Sequence, residues 1–137
     1  MSARTKARKR ALDLLYGADL RSGSIADAVE AEAQRAQSQP SREASWNYAR
    51  QIAEGVAEHR VEIDELIETY AQGWTIARMP ALDRAIVRMG IWEIVFNPEV
   101  PDGVAISEAV EAARTYSTED SAGFVNGLLG RIAQTRA

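Results

Sequence analysis

The sequence predicts an all-α fold, a compact bundle of about seven helices around a buried central helix at residues 81–96. Three observations carry this. Apolar residues recur at three- and four-residue intervals in segment after segment; no segment alternates apolar with polar at period two; and residues 81–96 are apolar on every side, as in a helix enclosed by others.

The first helix runs from Arg4 to Leu20, with Ala7, Ala11, Leu14, Leu15 and Ala18 on one face, and ends at Ser22, Gly23 and Ser24. Ser24 followed by Asp27 reads as an N-cap with an acid in the first turn, opening an alanine-rich helix that fades by Gln37. Residues 37–41 contain Pro40 and read as a loop, with Ser41 as the next cap. Trp46, Ala49, Ile52, Ala53 and Val56 form a stripe, which slips near residues 59–61 and resumes with Ile63, Leu66, Ile67 and Tyr70. Gly73 stops that helix, and Pro80 suits the first position of the central one. The charges of the central helix, Asp83, Arg84, Arg88 and Glu93, must sit near its start or at packing gaps, and any that is buried needs a partner. Residues 97–103, NPEVPDG, form a turn-rich loop. Two helices follow, one marked by Ile106, Ala109, Val110, Ala113 and Tyr116, and a last one beginning near Asp120 or Ser121 with Phe124, Val125, Leu128, Leu129 and Ile132 on its apolar side.

Composition narrows the function. A chain of 137 residues with 46% apolar and 26% charged residues fits one soluble domain, residues 1–137. The absence of cysteine excludes disulfides, thiolate metal sites and a cysteine nucleophile, and fits a cytoplasmic protein, as does the lack of any apolar run long enough to span a bilayer. No catalytic constellation stands out. His59 lies in a highly charged helical stretch, and the acid pairs Asp64 with Glu65 and Glu119 with Asp120 read as solvated faces or helix starts. Gly123, Gly127 and Gly130 follow no strand, so close helix packing explains them better than a dinucleotide loop. No metal and no cofactor is expected.

Charge is unevenly placed. Arg4, Lys6, Arg8, Lys9 and Arg10 fall within the first ten residues with no acid among them, leaving eleven basic against twenty acidic groups in the rest, a body of −9. A solubilising tail would share that charge, but Arg8, Lys9 and Tyr16 fall on one helical surface, where cations and an aromatic ring together suit single-stranded nucleic acid. Duplex DNA is disfavoured by the acidic body and by the lack of a helix-turn-helix signature. Trp46, Tyr48 or Trp74, if exposed on the acidic body, could dock a basic protein; core packing is the simpler role for each.

The run RTKARKRALDLLY, the central helix, and AISEAVEAAR followed by EDSAGFVNGLLG (residues 119–130) resemble, in order and spacing, the NusB family of transcription antitermination factors, over nearly the whole chain. The resemblance implies a non-enzymatic helical protein that binds boxA-type RNA together with NusE, a small-subunit ribosomal protein, and the transcription elongation complex. It carries RNA binding over to Arg4, Lys6, Arg8 and Tyr16 and to Asp120, Ser121 and Phe124, with Lys9 adding charge. It carries protein-partner contact over to Asp83, with Tyr16 beside it. The rival readings are a helical module of the kind found ahead of ribosomal RNA methyltransferase domains, and a structural homodimer.

Overall fold

The computed structural model describes residues 2–37 and 43–135. Within them lie seven α-helices and no strand: α1 Ala3–Leu20, α2 Ile25–Gln37, α3 Glu43–Glu58, α4 Arg60–Tyr70, α5 Ala81–Ile91, α6 Asp102–Tyr116 and α7 Glu119–Gln134. A 3₁₀ turn, Ile76–Arg78, precedes α5, and a π-helical turn, Trp92–Phe96, extends it. The loop and the Ser41 cap expected at residues 37–41 lie outside the described residues, apart from Gln37, which ends α2.

Hydroxyl groups start three of the helices. The Ser2 hydroxyl accepts the Thr5 N–H at 3.1 Å, Ser24 accepts that of Asp27 at 2.9 Å, and Thr118 accepts that of Ser121 at 3.0 Å. Each relieves one of the donors that a helix start leaves without an intrahelical partner. The last helix therefore begins at Glu119, one residue before Asp120, with Thr118 as its cap. Pro80 also stands one position earlier than expected, as the N-cap of α5, and α6 begins at Asp102 inside the stretch read as a loop. The stripe breaks at His59 as its slip implied; the imidazole stacks on Phe96 with ring centres 3.8 Å apart, which ties the α3–α4 corner to the end of the central helix.

Helix α5 touches α1, α3, α4, α6 and α7, and residues 85–94 are buried without interruption. Its charges all find partners. Arg84 binds Asp19 at 2.9 Å, Arg88 binds Asp64 at 2.9 Å, Asp83 accepts from Ser117 and Ser121, and Glu93 accepts from Arg8. Because Arg8 meets Glu93 near one end of α1 and Asp19 meets Arg84 near the other, α1 runs antiparallel to α5. Trp46 and Tyr48 belong to the core, whereas Trp74 is exposed.

The glycines that permit close packing are not those the sequence suggested. A Cβ at Gly123 or Gly130 would meet open space, and at Gly127 only the flexible end of Arg131. A Cβ at Gly55 would lie 1.9 Å from the Trp92 indole nitrogen, and at Gly90 2.7 Å from a Leu129 methyl. Gly55→Ala is therefore expected to cost about 1–3 kcal/mol from overpacking, even after the gain in helix propensity, and Gly90→Ala less because a leucine methyl can swing aside. Gly123→Ala should instead stabilise by up to about 1 kcal/mol. Thermal denaturation of the three variants checks both sign and order.

Candidate nucleic-acid interface

The five basic side chains at the start of α1 divide between the interior and the surface. Arg8 is 5% exposed. Its Nε donates to both carboxylate oxygens of Glu93 at 2.9 and 3.0 Å, and its Nη1 lies 3.2 Å from Glu108. Glu93 also accepts from the Tyr48 hydroxyl, and that hydroxyl accepts from the Asn97 amide at 3.2 Å. Burial would lower the Arg8 pKa, but the hydrogen bond and charge of Glu93 hold it above the ordinary value. Burial, with Glu93 as the acceptor, pushes the Tyr48 hydroxyl well above the ordinary tyrosine range.

The other four cations lie nearer to solvent. Arg4 is exposed, 3.6 Å from Glu99, with its guanidinium 4.4 Å above the Tyr48 ring. Lys6 is exposed. Lys9 lies 2.5 Å from Asp13 and 5.0 Å from the centre of the Tyr116 ring. Arg10 reaches Glu32 at 2.7 Å and lies over Trp46. Tyr16 and Tyr116 are among the exposed large apolar side chains. The surface formed by Lys6, Lys9, Tyr16 and Tyr116 thus offers cations for phosphates and two rings for bases, while Arg4 lies on another side of α1, over Tyr48 and beside Glu99.

The start of α7 adjoins that surface, since the ring under Lys9 belongs to the last residue of α6 and only Ser117 and Thr118 separate it from Glu119. Here the expected residues separate again. Asp120 is exposed. Ser121 is buried and its hydroxyl donates to Asp83 at 2.7 Å, while Ser117 donates to the other Asp83 oxygen at 2.8 Å. Asp83 is itself only 5% exposed, so it is a brace between α5 and the α6–α7 corner and not a surface acid awaiting a basic partner. Phe124 is half-buried with its ring centre 6.0 Å from that of Trp74, and the two flank a cleft of about 250 Å³ lined also by Pro80, Thr118 and Asp120.

The expected set therefore resolves into two groups. Arg4, Lys6, Lys9, Tyr16, Asp120 and Phe124 reach solvent wholly or in part; Arg8, Ser121 and Asp83 are buried, the last two where they also line the cleft between Trp74 and Phe124. Sequence reasoning missed Glu99 and Glu108 as partners of Arg4 and Arg8, and the Tyr48 hydroxyl with Asn97 as the groups that complete the Glu93 site. The one signal available was Glu93, a charge in a segment apolar all round that had to have a partner. Among the described residues no group of three His, Cys, Asp or Glu side chains could hold a metal ion, and no helix is long and apolar enough to cross a membrane.

A sequence model of the NusB family matches residues 5–134. The transcription antitermination protein NusB of Leifsonia xyli subsp. xyli is 69% identical over 136 residues, covering 99% of this chain and 94% of that one. That of Clavibacter sepedonicus is 66% identical over the full length of both. Among solved structures, T. maritima NusB superposes with a TM-score of 0.83 at 30% identity, covering 98% of this chain and 92% of that one. The antitermination factor NusB seen with NusE and double-stranded RNA superposes with a TM-score of 0.84 at 26% identity, covering 98% of each chain.

Removing the charge of Glu93 leaves the buried Arg8 with only the partly exposed Glu108 as counter-charge, so Glu93→Ala is expected to destabilise the fold by up to roughly 3–5 kcal/mol, read by chemical denaturation. Tyr48 generates a pH dependence. Below about pH 10 its hydroxyl is protonated in both the folded and the unfolded chain and adds none; above it the unfolded chain releases a proton that the folded chain keeps. Stability should fall as pH rises past about 10, and Tyr48→Phe should flatten that fall, as followed by denaturation between neutral and strongly alkaline pH.

Proposed function

Because the chain belongs to the NusB family, we propose that it is a non-enzymatic, cytoplasmic transcription antitermination factor that binds boxA-type RNA together with a NusE-type ribosomal protein, residues 1–137 acting as one domain. The observation that carries this reading is the outer face of α1, where Lys9 lies over the Tyr116 ring with Lys6 and Tyr16 exposed nearby, while Arg4 adds charge on another side, over Tyr48. Phosphates are attracted by the cations, and unpaired bases have aromatic faces on which to stack. The related NusB that was seen with NusE and double-stranded RNA supports both an RNA and a NusE partner for this chain.

The roles within the expected set follow from exposure. Arg4, Lys6 and Lys9 contact the phosphates, Tyr16 and Phe124 offer apolar and stacking surface, and Asp120 faces base edges because its charge repels the backbone. Arg8 acts by fixing α1 against the core. Ser121 and Asp83 act by fixing the start of α7 beside it, so Asp83 serves partner binding only through the shape of that corner. Tyr16 and Trp74 give the protein partner an exposed aromatic surface, and the −9 of the body suits a basic partner.

The test is a titration of fluorescent boxA-type single strand with and without NusE, with a duplex of the same length as competitor. Replacing Arg4, Lys6 and Lys9 together by Ala should weaken binding on the order of tenfold while leaving helical content intact, since none of the three is a core residue. An unchanged affinity in that variant sinks the reading. Arg8→Ala should instead lower thermal stability, which separates a folding role from a contact role.

A further inference from the structure

The positive N-terminus is almost fully answered by the chain's own acids. Arg4 pairs with Glu99, Arg8 with Glu93 and Glu108, Lys9 with Asp13 and Arg10 with Glu32. These pairs differ in what can happen to them. Arg8 with Glu93 and Arg10 with Glu32 are enclosed, and parting them would strand a charge away from water. In the other two, the side chains of Glu99 and Asp13 are 74% and 65% exposed, and those of Arg4 and Lys9 46% and 37%. An exposed ion pair is held by little net energy, so its acid can be exchanged for another anion at small cost.

We propose that Glu99 and Asp13 are stand-ins for RNA phosphates: they occupy Arg4 and Lys9 in the free protein and must be displaced when a nucleic-acid strand binds. This rests on the RNA-binding reading above and deepens it, by assigning two acids that restrain sequence-independent affinity. Phosphate contact carries no sequence information. An internal competitor for it therefore lowers the affinity for every strand by the same factor, leaving base recognition to decide which strand is retained.

Ion counting gives the proposal a distinctive signature. A cation that binds a phosphate of a single strand normally releases about 0.7 of a counterion, the origin of the fall in affinity with salt. When the cation leaves a carboxylate behind, the ions that screen that carboxylate offset part of the release. Removing the carboxylate restores it.

The experiment measures the affinity of the wild-type protein and of the Asp13→Asn, Glu99→Gln double variant for a boxA-type single strand and for a scrambled strand of equal length, across a salt series. Glu54→Gln serves as the charge control, because Glu54 is a similarly exposed acid paired with Arg50 on α3, outside the N-terminal cation set. The double variant should bind both strands on the order of fivefold more tightly at low salt, with an unchanged ratio between them. Its plot of log affinity against log salt should be steeper, by at most about 1.4, and Glu54→Gln should match wild type. Equal affinity and slope in wild type and double variant would overturn the proposal, as would a gain in Glu54→Gln of half the logarithmic size or more, which would make it an effect of net charge alone, since the control removes one charge against two. If the wild-type protein binds neither strand, with or without NusE, it is the RNA-binding reading itself that fails, and the stand-in role with it.

Discussion

The fold depends on two opposite charges that share a nearly dry site. Arg8 and Glu93 are 5% and 0% exposed, and taking such groups out of water costs several kcal/mol each unless every donor and acceptor is met. Here they are met. Arg8 gives Nε to both oxygens of Glu93 and faces Glu108, Tyr48 adds its hydroxyl to Glu93, and Asn97 completes Tyr48. An apolar pair of the same size would serve stability about as well. What the ion pair adds is orientation. With Arg8 fixed inward, the turn of about 100° per residue carries Lys9 and Lys6 toward solvent, so the buried pair decides which cations the protein displays.

The same logic continues along α1. Asp19, eleven residues beyond Arg8, meets Arg84 at 2.9 Å and comes within 3.8 Å of Arg88, while Ala11, Leu12, Leu15 and Ala18 fill the space between with apolar contact. A helix pinned by charge at both ends and by packing between cannot rotate to offer a different face. The π-helical turn continues the buried run at the far side, enclosing Trp92, Glu93 and Ile94 as residues 85–91 are enclosed before it. Trp92 can lie there because Gly55 leaves it room.

Much of this was legible in the sequence. The helices, the Ser24 cap, the break near His59, the central position of residues 81–96 and the need of its charges for partners all follow from local pattern and from the cost of burying charge. What was not legible depends on contacts between residues far apart in the chain. Arg4, Arg8 and Arg10 are chemically identical, and only Glu93, 85 positions away, singles out Arg8 as the inward one. Ser121 looks like a cap because caps are chosen within three or four residues, yet Thr118 takes that role through its extended backbone and leaves the Ser121 hydroxyl for Asp83, 38 positions away. The glycines of α7 are regularly spaced but face open space, while the isolated Gly55 and Gly90 meet Trp92 and Leu129. Spacing along a helix says which residues share a face, not what that face meets.

The pairing of cations with acids also changes what the charge asymmetry of the sequence means. A +5 segment on a −9 body suggests a long-range dipole that would draw an anionic strand from a distance. Four of those five cations have a carboxylate within 4 Å, and the field of such a pair fades faster with distance than that of a lone charge. Beyond a Debye length of about 8 Å at physiological salt little of it remains. Attraction is therefore a short-range matter, expressed when a phosphate is close enough to compete with a carboxylate for the same cation. An affinity that exists only at contact depends on how well the strand fits the neighbouring surface, which is where Tyr16, Tyr116 and the start of α7 lie. Cations already paired in this way attract any strand less strongly than free ones would, so the geometry of rings and partner surface weighs more in deciding which strand is held.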